Sequence, residues 1–277
     1  MTAFAFLMVL YPLIYVVSAS FSEPSTVTSG QLWLFPVKWS VRPYELVFKS
    51  RNLITGFCNS LIYTVAGTVV SLVVTVLAAY PLSRPDLKGK NLFILFFSFT
   101  MIFSGGMIPS YLVVQSLGLL NTMWSLILPG ALSIWNMVIM RTYFQSTIPN
   151  ELYEAACLDG CTDFKFLIRV VLPLSTTILS VIGIYYAIGY WNSYFTPMMY
   201  LTDMSKYPLQ LILREILILG QMEQDATRAM LANEVSQGIG QVLKYSVIVV
   251  STLPMILFYV LIQKNFVKGV MIGALKG

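Results

Sequence analysis

Six stretches of this chain, residues 2–21, 54–82, 92–114, 122–140, 172–202 and 245–262, run without a single Asp, Glu, Lys or Arg and are apolar almost throughout. A hydrocarbon layer about 30 Å thick takes roughly 20 apolar residues to cross as a helix, in which every backbone amide finds its partner within its own segment. Six such stretches in 277 residues, with 10% charged side chains and a mean hydropathy of +0.76, exclude a soluble domain, where charge is about 25%. The expected fold class is an all-α membrane protein with six transmembrane helices in a single domain over residues 1–277. The first stretch contains Pro12 and lacks both a basic start and a small-residue cleavage site. It therefore reads as a retained span, with a short native leader expected ahead of Met1, rather than as a cleaved signal.

The charges between the spans set direction. Arg84, Lys88, Lys90, Arg141, Lys165, Arg169, Lys264, Lys268 and Lys276 fall on one side, against Asp86, Glu151, Glu154, Asp159 and Asp163. The other side carries eight basic and seven acidic residues in two long loops, 22–53 and 203–244. Basic residues in short loops stay on the cytoplasmic side, so segment 141–171, tail 263–277 and both termini are expected in the cytoplasm. The net charge of +5 then reflects loops lying beside anionic lipid, and no nucleic-acid partner is expected. Loop 22–53, with Pro24, Pro36, Pro43, Trp33, Phe35 and Trp39, reads as an irregular cap seated at the interface. Within 207–243, Leu209, Ile212, Leu213, Ile216, Leu217 and Leu219 recur at helical spacing.

The interior holds no carboxylate, although an ion-coupled carrier usually needs a buried ionisable group to carry or sense its ion. Its polar groups are amides, hydroxyls and aromatics: Asn59, Ser60 and Tyr63 in the second stretch, Trp135 and Asn136 in the fourth, and a run from Tyr185 to Tyr194 in the fifth. Amides bond sugar hydroxyls and aromatic rings stack on apolar sugar faces, which makes Asn59, Tyr63, Asn136, Tyr190, Trp191, Asn192 and Tyr194 the candidate pathway residues. The same groups also serve as interhelical hydrogen bonds and an aromatic belt. With no histidine and three cysteines, Cys58, Cys157 and Cys161, no catalytic residue and no metal site is expected. Gly89-Lys90 is the only Gly-Lys pair, and it lacks the remainder of a phosphate-binding loop. Uphill transport would need energy from another subunit.

The richest segment follows the fourth stretch. Pro149 and Asn150 start helices, Glu151 and Glu154 suit a first turn, and Gly160 stops one. A second helix is expected from Thr162 or Asp163 to Pro173. Small Ala155 and Ala156 allow close backbone approach, and Leu152, Tyr153 and Leu158 offer an apolar ridge to a groove.

Glu154-Ala155-Ala156, then Gly160, then Leu172-Pro173, resembles the coupling-loop signature of binding-protein-dependent ABC importer permeases. Ile148-Pro149-Asn150-Glu151-Leu152, Leu158-Asp159-Gly160, the run from Asn121-Thr122 to Leu128-Pro129 and the tail 263–277 are similar to its carbohydrate-uptake branch, and most of all to the maltose importer's second permease. Phe103-Ser-Gly-Gly-Met-Ile-Pro-Ser-Tyr-Leu112 resembles a sub-branch that takes up complex or acidic oligosaccharides, alginate among them. The resemblance implies the type I ABC importer permease fold with a cytoplasmic coupling helix, in a bacterial inner membrane. It implies a heterodimer with a second homologous permease, two ATPase subunits, an extracytoplasmic solute-binding protein and an oligosaccharide substrate. No cofactor is expected on this chain; ATP and Mg would sit on the ATPase. By position, Leu152, Tyr153, Glu154, Ala155, Ala156, Asp159 and Gly160 would form the ATPase joint, and Gly273, Ala274, Leu275, Lys276 and Gly277 would reach into the ATPase pair. In the maltose-type system the partner permease holds most of the sugar, so this chain's aromatic run lines the pathway rather than gripping it. The competing readings are a stand-alone sugar carrier or facilitator, a non-transport assembly subunit, and an importer permease for a non-sugar solute.

Overall fold

A computed structural model describes residues 2–217 and 242–260. Every regular element among them is helical. In chain order they are α1 (Thr2–Ser20), α2 (Pro24–Thr28), α3 (Arg42–Lys49), α4 (Arg51–Ser83), α5 (Lys90–Ile102), α6 (Met107–Ser116), α7 (Trp124–Ile127), α8 (Ile134–Thr147), α9 (Asn150–Leu158), α10 (Asp163–Phe166), α11 (Leu172–Leu174), α12 (Thr176–Trp191), α13 (Phe195–Tyr200), α14 (209–217) and α15 (Val242–Val260). The described residues form two compact units.

The first unit comprises residues 2–60, 193–217 and 242–258. Its core gathers Ala19, Val27, Leu32 and Val242, with Tyr15, Val37 and Tyr245 packed around them. Loop 22–53 is more ordered than an irregular cap, because it bonds back onto the end of α1. The Ser18 hydroxyl donates to Leu34 O at 2.6 Å, and the Val37 N–H donates to Ser22 Oγ at 3.2 Å. Phe21 stacks on Tyr44 of α3 at 4.8 Å, while Trp33, Phe35 and Trp39 remain about three-quarters exposed. At the start of α4, the Asn59 amide donates to Ser205 O and Tyr207 O at 2.8 and 3.1 Å, and Ser60 Oγ accepts from the Leu209 N–H at 2.8 Å. These bonds fix the entry to α14. The remainder of the helical pattern expected in 207–243 lies largely outside the described residues.

The second unit comprises residues 61–192 with 259 and 260. Its core joins Val76, Ala79 and Leu82 of α4, Met137, Met140 and Phe144 of α8, Phe166 of α10 and Ile178 and Ile182 of α12. Two tyrosines of α12 supply polar ties inside it. Tyr186 Oη accepts from the Ser133 N–H at 3.0 Å and shares a hydrogen bond with Thr75 Oγ1 at 2.7 Å. Tyr190 Oη donates to Ile127 O at 3.3 Å and so accepts from Ser71 at 2.9 Å. Gly67 faces the Tyr190 ring where any Cβ would sit 2.7 Å from it.

Only some of the six expected spans are single helices. Arg51–Ser83 and Val242–Val260 are each long and apolar enough to cross a membrane, and Met8–Ser20 is a shorter apolar helix. The third stretch is broken: α5 and α6 meet at 112°. Phe103 is extended there and Gly106 sits at φ +85°, a conformation only glycine adopts without cost. The fourth is displaced. Pro129 confines residues 124–130 to α7 and a single 3₁₀ turn, and the long helix begins only at Ile134, where Ser133 Oγ accepts from the Asn136 N–H, running on to Thr147. The fifth bends by 84° at Ser175, just after Pro173, and stops at Trp191 before the separate α13, which contains Pro197. Proline and glycine can interrupt membrane helices where neighbouring protein satisfies the freed backbone groups.

Candidate functional site

Segment 148–166 folds as two helices around a glycine turn. Pro149 is the N-cap of α9, and Gly160 closes its far end at φ +70°, with the Gly160 N–H on Cys157 O at 3.0 Å and the Cys161 N–H on Ala156 O at 2.9 Å. Those two bonds are a Schellman closure, which requires the left-handed residue that glycine provides. A Cβ at Gly160 would meet nothing within 4 Å in this chain, so the demand is on its backbone alone.

The helix has two faces. Glu151, Leu152, Glu154, Ala155, Leu158 and Asp159 are exposed, Leu158 to 91%. Ala156 and Tyr153 turn inward against the second unit's core. The expected ridge of Leu152, Tyr153 and Leu158 is therefore divided, because Tyr153 lies on the opposite face and fastens the helix to its own chain. The Arg84 guanidinium carbon lies 3.1 Å from the centre of the Tyr153 ring, the phenol donates to Asp163 Oδ1 at 2.8 Å, and the ring meets Phe166 edge-on at 5.4 Å. Hydrogen bonds to Cys157 and to the Asp163 carboxylate push the Tyr153 hydroxyl well above the usual phenol range, so it remains a donor. Arg84 is only 13% exposed and also donates to Asp86 at 3.1 Å, which holds the Asp86 carboxyl below its ordinary value of 3.8. Sequence reasoning missed Arg84 and Asp163. The available signal was their placement at helix ends, Arg84 just after α4 and Asp163 opening α10.

Around this anchor, α8 supports the end of α4. Arg141 Nε donates to Leu82 O at 2.9 Å and Gln145 Nε2 to Ser83 O at 3.4 Å, satisfying carbonyls that a helix end leaves open.

The candidate pathway residues do not form one constellation. Asn59 is occupied by the 205–207 backbone, Tyr63 and Asn136 are buried, and Tyr190 and Trp191 are packed into the second unit. Asn192 and Tyr194 alone among the seven are exposed, and the Arg214 guanidinium lies 5.9 Å from the Tyr194 ring. The tail residues Gly273, Ala274, Leu275, Lys276 and Gly277 lie outside the described residues.

Long apolar helices and a two-faced helix fastened to the second unit, with every regular element helical among the described residues, are the make-up of an integral-membrane transport subunit. The chain belongs to the family described as binding-protein-dependent transport system inner membrane component, which matches residues 90–272. It is 42% identical to the polygalacturonan/rhamnogalacturonan transport system permease protein YtcP of Bacillus subtilis (strain 168), over 99% of this chain and 94% of that one. It is 40% identical to protein LplC of the same organism, over 96% and 89%. A solved structure of a bacterial ABC transporter involved in the import of the acidic polysaccharide alginate matches with a TM-score of 0.87 and 35% identity, over 96% of this chain and 93% of that chain. The fold is thus the type I importer permease fold, and the chain is a transport subunit of a membrane importer.

Proposed function

We propose that this chain is one of two permease subunits of an ATP-driven, binding-protein-dependent importer of acidic, uronate-containing oligosaccharides. The observation that carries the ATP-driven part is the outward face of α9. Leu158 at 91% exposure, beside Ala155 and Glu154, is a short apolar step on a helix whose other face is tied down through Tyr153 and Ala156. Such a helix suits a groove on a partner, and a rigid link behind it passes force to the helices α4 and α8. That partner is an ATPase bearing ATP and Mg; this chain binds neither. The excess of basic residues supports a cytoplasmic position for this side and for both termini. A second permease completes the pathway, and a solute-binding protein delivers substrate to the opposite face. The terminal residues 273–277 add a second contact to the ATPase pair.

The acidic class is supported by two relatives at once, one named for polygalacturonan and rhamnogalacturonan, the other for alginate. The test is ATP hydrolysis by the reconstituted complex with its binding protein, across neutral and uronate oligosaccharides. Stimulation by the uronates alone is expected. Stimulation by neutral sugars alone would discard the acidic class, and a complex that hydrolyses ATP but responds to no sugar would discard the substrate reading altogether.

A further inference from the structure

Beside the α9 anchor, between the ends of α4 and α8 and the first turn of α9, lies a partly open cavity of about 210 Å³. Its lining contains no carboxylate, yet brings together Arg84, Lys90, Asn150 and Tyr80. Lys90 is half-buried and makes no ion pair among the described residues; its charge acts on Asp86 only from a distance, while Asp86 is bonded to Arg84. Tyr80 is 8% exposed, and its buried hydroxyl has no hydrogen-bond partner among the described residues. A buried hydroxyl without a partner is costly, so one carried by a residue of a cationic cavity's wall points to an occupant. The third donor is the start of α9, bordered by Pro149 and Asn150, whose first-turn amides receive no side-chain cap. Helix starts favour negative charge.

Among apolar side chains such as Phe144 and Ile148, the charged groups on the cavity wall are both cations, and the two nearby carboxylates are engaged elsewhere, Asp86 by Arg84 and Asp163 by the Tyr153 hydroxyl. A phosphate group, with several acceptor oxygens and negative charge, fits this donor set, whereas a sugar or an ammonium does not. The cavity also stands where α4 and α8 end, just past the uncharged stretch 54–82 and on the side richer in basic loops. Basic pockets between spans on that side bind anionic headgroups. We propose that this cavity binds the phosphate of an anionic phospholipid, held by Lys90, Arg84 and Tyr80, and so places a lipid contact directly against the stacked pair Arg84–Tyr153 that fastens α9. The lipid source rests on the cytoplasmic orientation given above; the phosphate chemistry does not.

The experiment is native mass spectrometry of the assembled transporter titrated with phosphatidylglycerol or phosphatidylethanolamine, comparing the unaltered chain with Lys90→Gln and Tyr80→Phe. Phosphatidylglycerol should be retained in preference, with apparent affinity falling about tenfold in Lys90→Gln and about threefold in Tyr80→Phe, the latter losing a single oxygen. Equal retention in all three chains overturns the proposal. So does loss of ATPase subunits from the variants with lipid retention unchanged, which would make the cavity a seat for a protein side chain. Inorganic phosphate added as competitor should not displace the lipid; displacement at millimolar phosphate overturns the lipid source in favour of a soluble phosphate. Oligosaccharide-stimulated ATP hydrolysis, measured on the same preparations, reports separately on the importer reading, so lipid retention without stimulation would sink that reading and leave the site standing.

Discussion

Tyr153 does two jobs with one side chain, and they can be separated. Its ring packs under Arg84 and against Phe166, while its hydroxyl reaches Asp163. Tyr153→Phe keeps the ring and loses only a partly exposed hydrogen bond, about 0.5–1.5 kcal/mol. Tyr153→Ala also loses the cation–ring contact, about 0.5–2 kcal/mol, and the packing beneath it. The ratio of sugar transported to ATP hydrolysed should hold nearly steady in the first variant and collapse in the second. Equal ratios in both would show that α9 does not rely on this anchor. Asp86 gives a pH-dependent counterpart. Arg84 holds its carboxyl below 3.8, so the stabilisation it contributes is present in full above that value and disappears as pH falls through the lowered one. Because Asp86 is 62% exposed, Asp86→Asn should cost less than about 1 kcal/mol of stability at neutral pH, seen as a slight drop in thermal midpoint that vanishes in acid. A difference that grew on acidification would contradict the ion pair. The acidic first turn, the alanines and Gly160 were legible in the sequence because each carries a local preference. The inward turn of Tyr153 was not, since its partners Arg84 and Phe166 come from two other elements and no spacing rule reaches across them.

At the scale of elements, glycine positions divide into those that need a conformation and those that need space. Gly160 needs φ +70° and has free room around it, so the identity of the replacement should matter more than its bulk. Asn tolerates the left-handed region and Val does not. Gly160→Asn is therefore expected to keep transport coupled while Gly160→Val unseats α9, both inserting normally; if the two behave alike in ATPase assays, the steric demand comes from the bound partner instead. Gly67 is the opposite case. A Cβ there would press the Tyr190 ring, which Ser71 and Ile127 O hold in place, and over-packing of this kind costs about 1–3 kcal/mol. Gly67→Ala should lower the melting temperature of the purified protein, and Tyr190→Phe in the same chain should recover part of it by freeing the ring. No recovery would mean that the clash is relieved elsewhere. Apolar runs located the helices well, as α4 and α15 illustrate, but composition alone hid the breaks. Residues 92–114 and 172–202 carry no charge at Gly106 or Ser175, and only Ser104-Gly105-Gly106, Pro109 and Pro173 to Thr177 hinted that an uncharged stretch need not be one straight helix.

For the whole molecule, the charge distribution makes a claim that three native cysteines help to test. Nine basic residues against five acids mark one side, and Cys157 lies there on α9, exposed. Cys58, exposed seven residues into α4, and Cys161, beside Gly160, are replaced by Ser so that Cys157 alone of the three reports. Ser29, exposed just beyond α2 in loop 22–53, stands on the other side and tolerates Cys. A membrane-impermeant maleimide applied to intact cells should label Ser29→Cys and leave Cys157 untouched, whereas inside-out vesicles should reverse the pattern. Assembly adds a second stage to the same measurement. If α9 presents Glu154, Ala155 and Leu158 to an ATPase, adding the ATPase to vesicles carrying the permease pair should slow Cys157 labelling, because Cys157 sits on the turn between those side chains. Labelling of Cys157 from outside would invert the topology. Unchanged labelling on ATPase addition, with the complex formed, would place the joint somewhere other than α9.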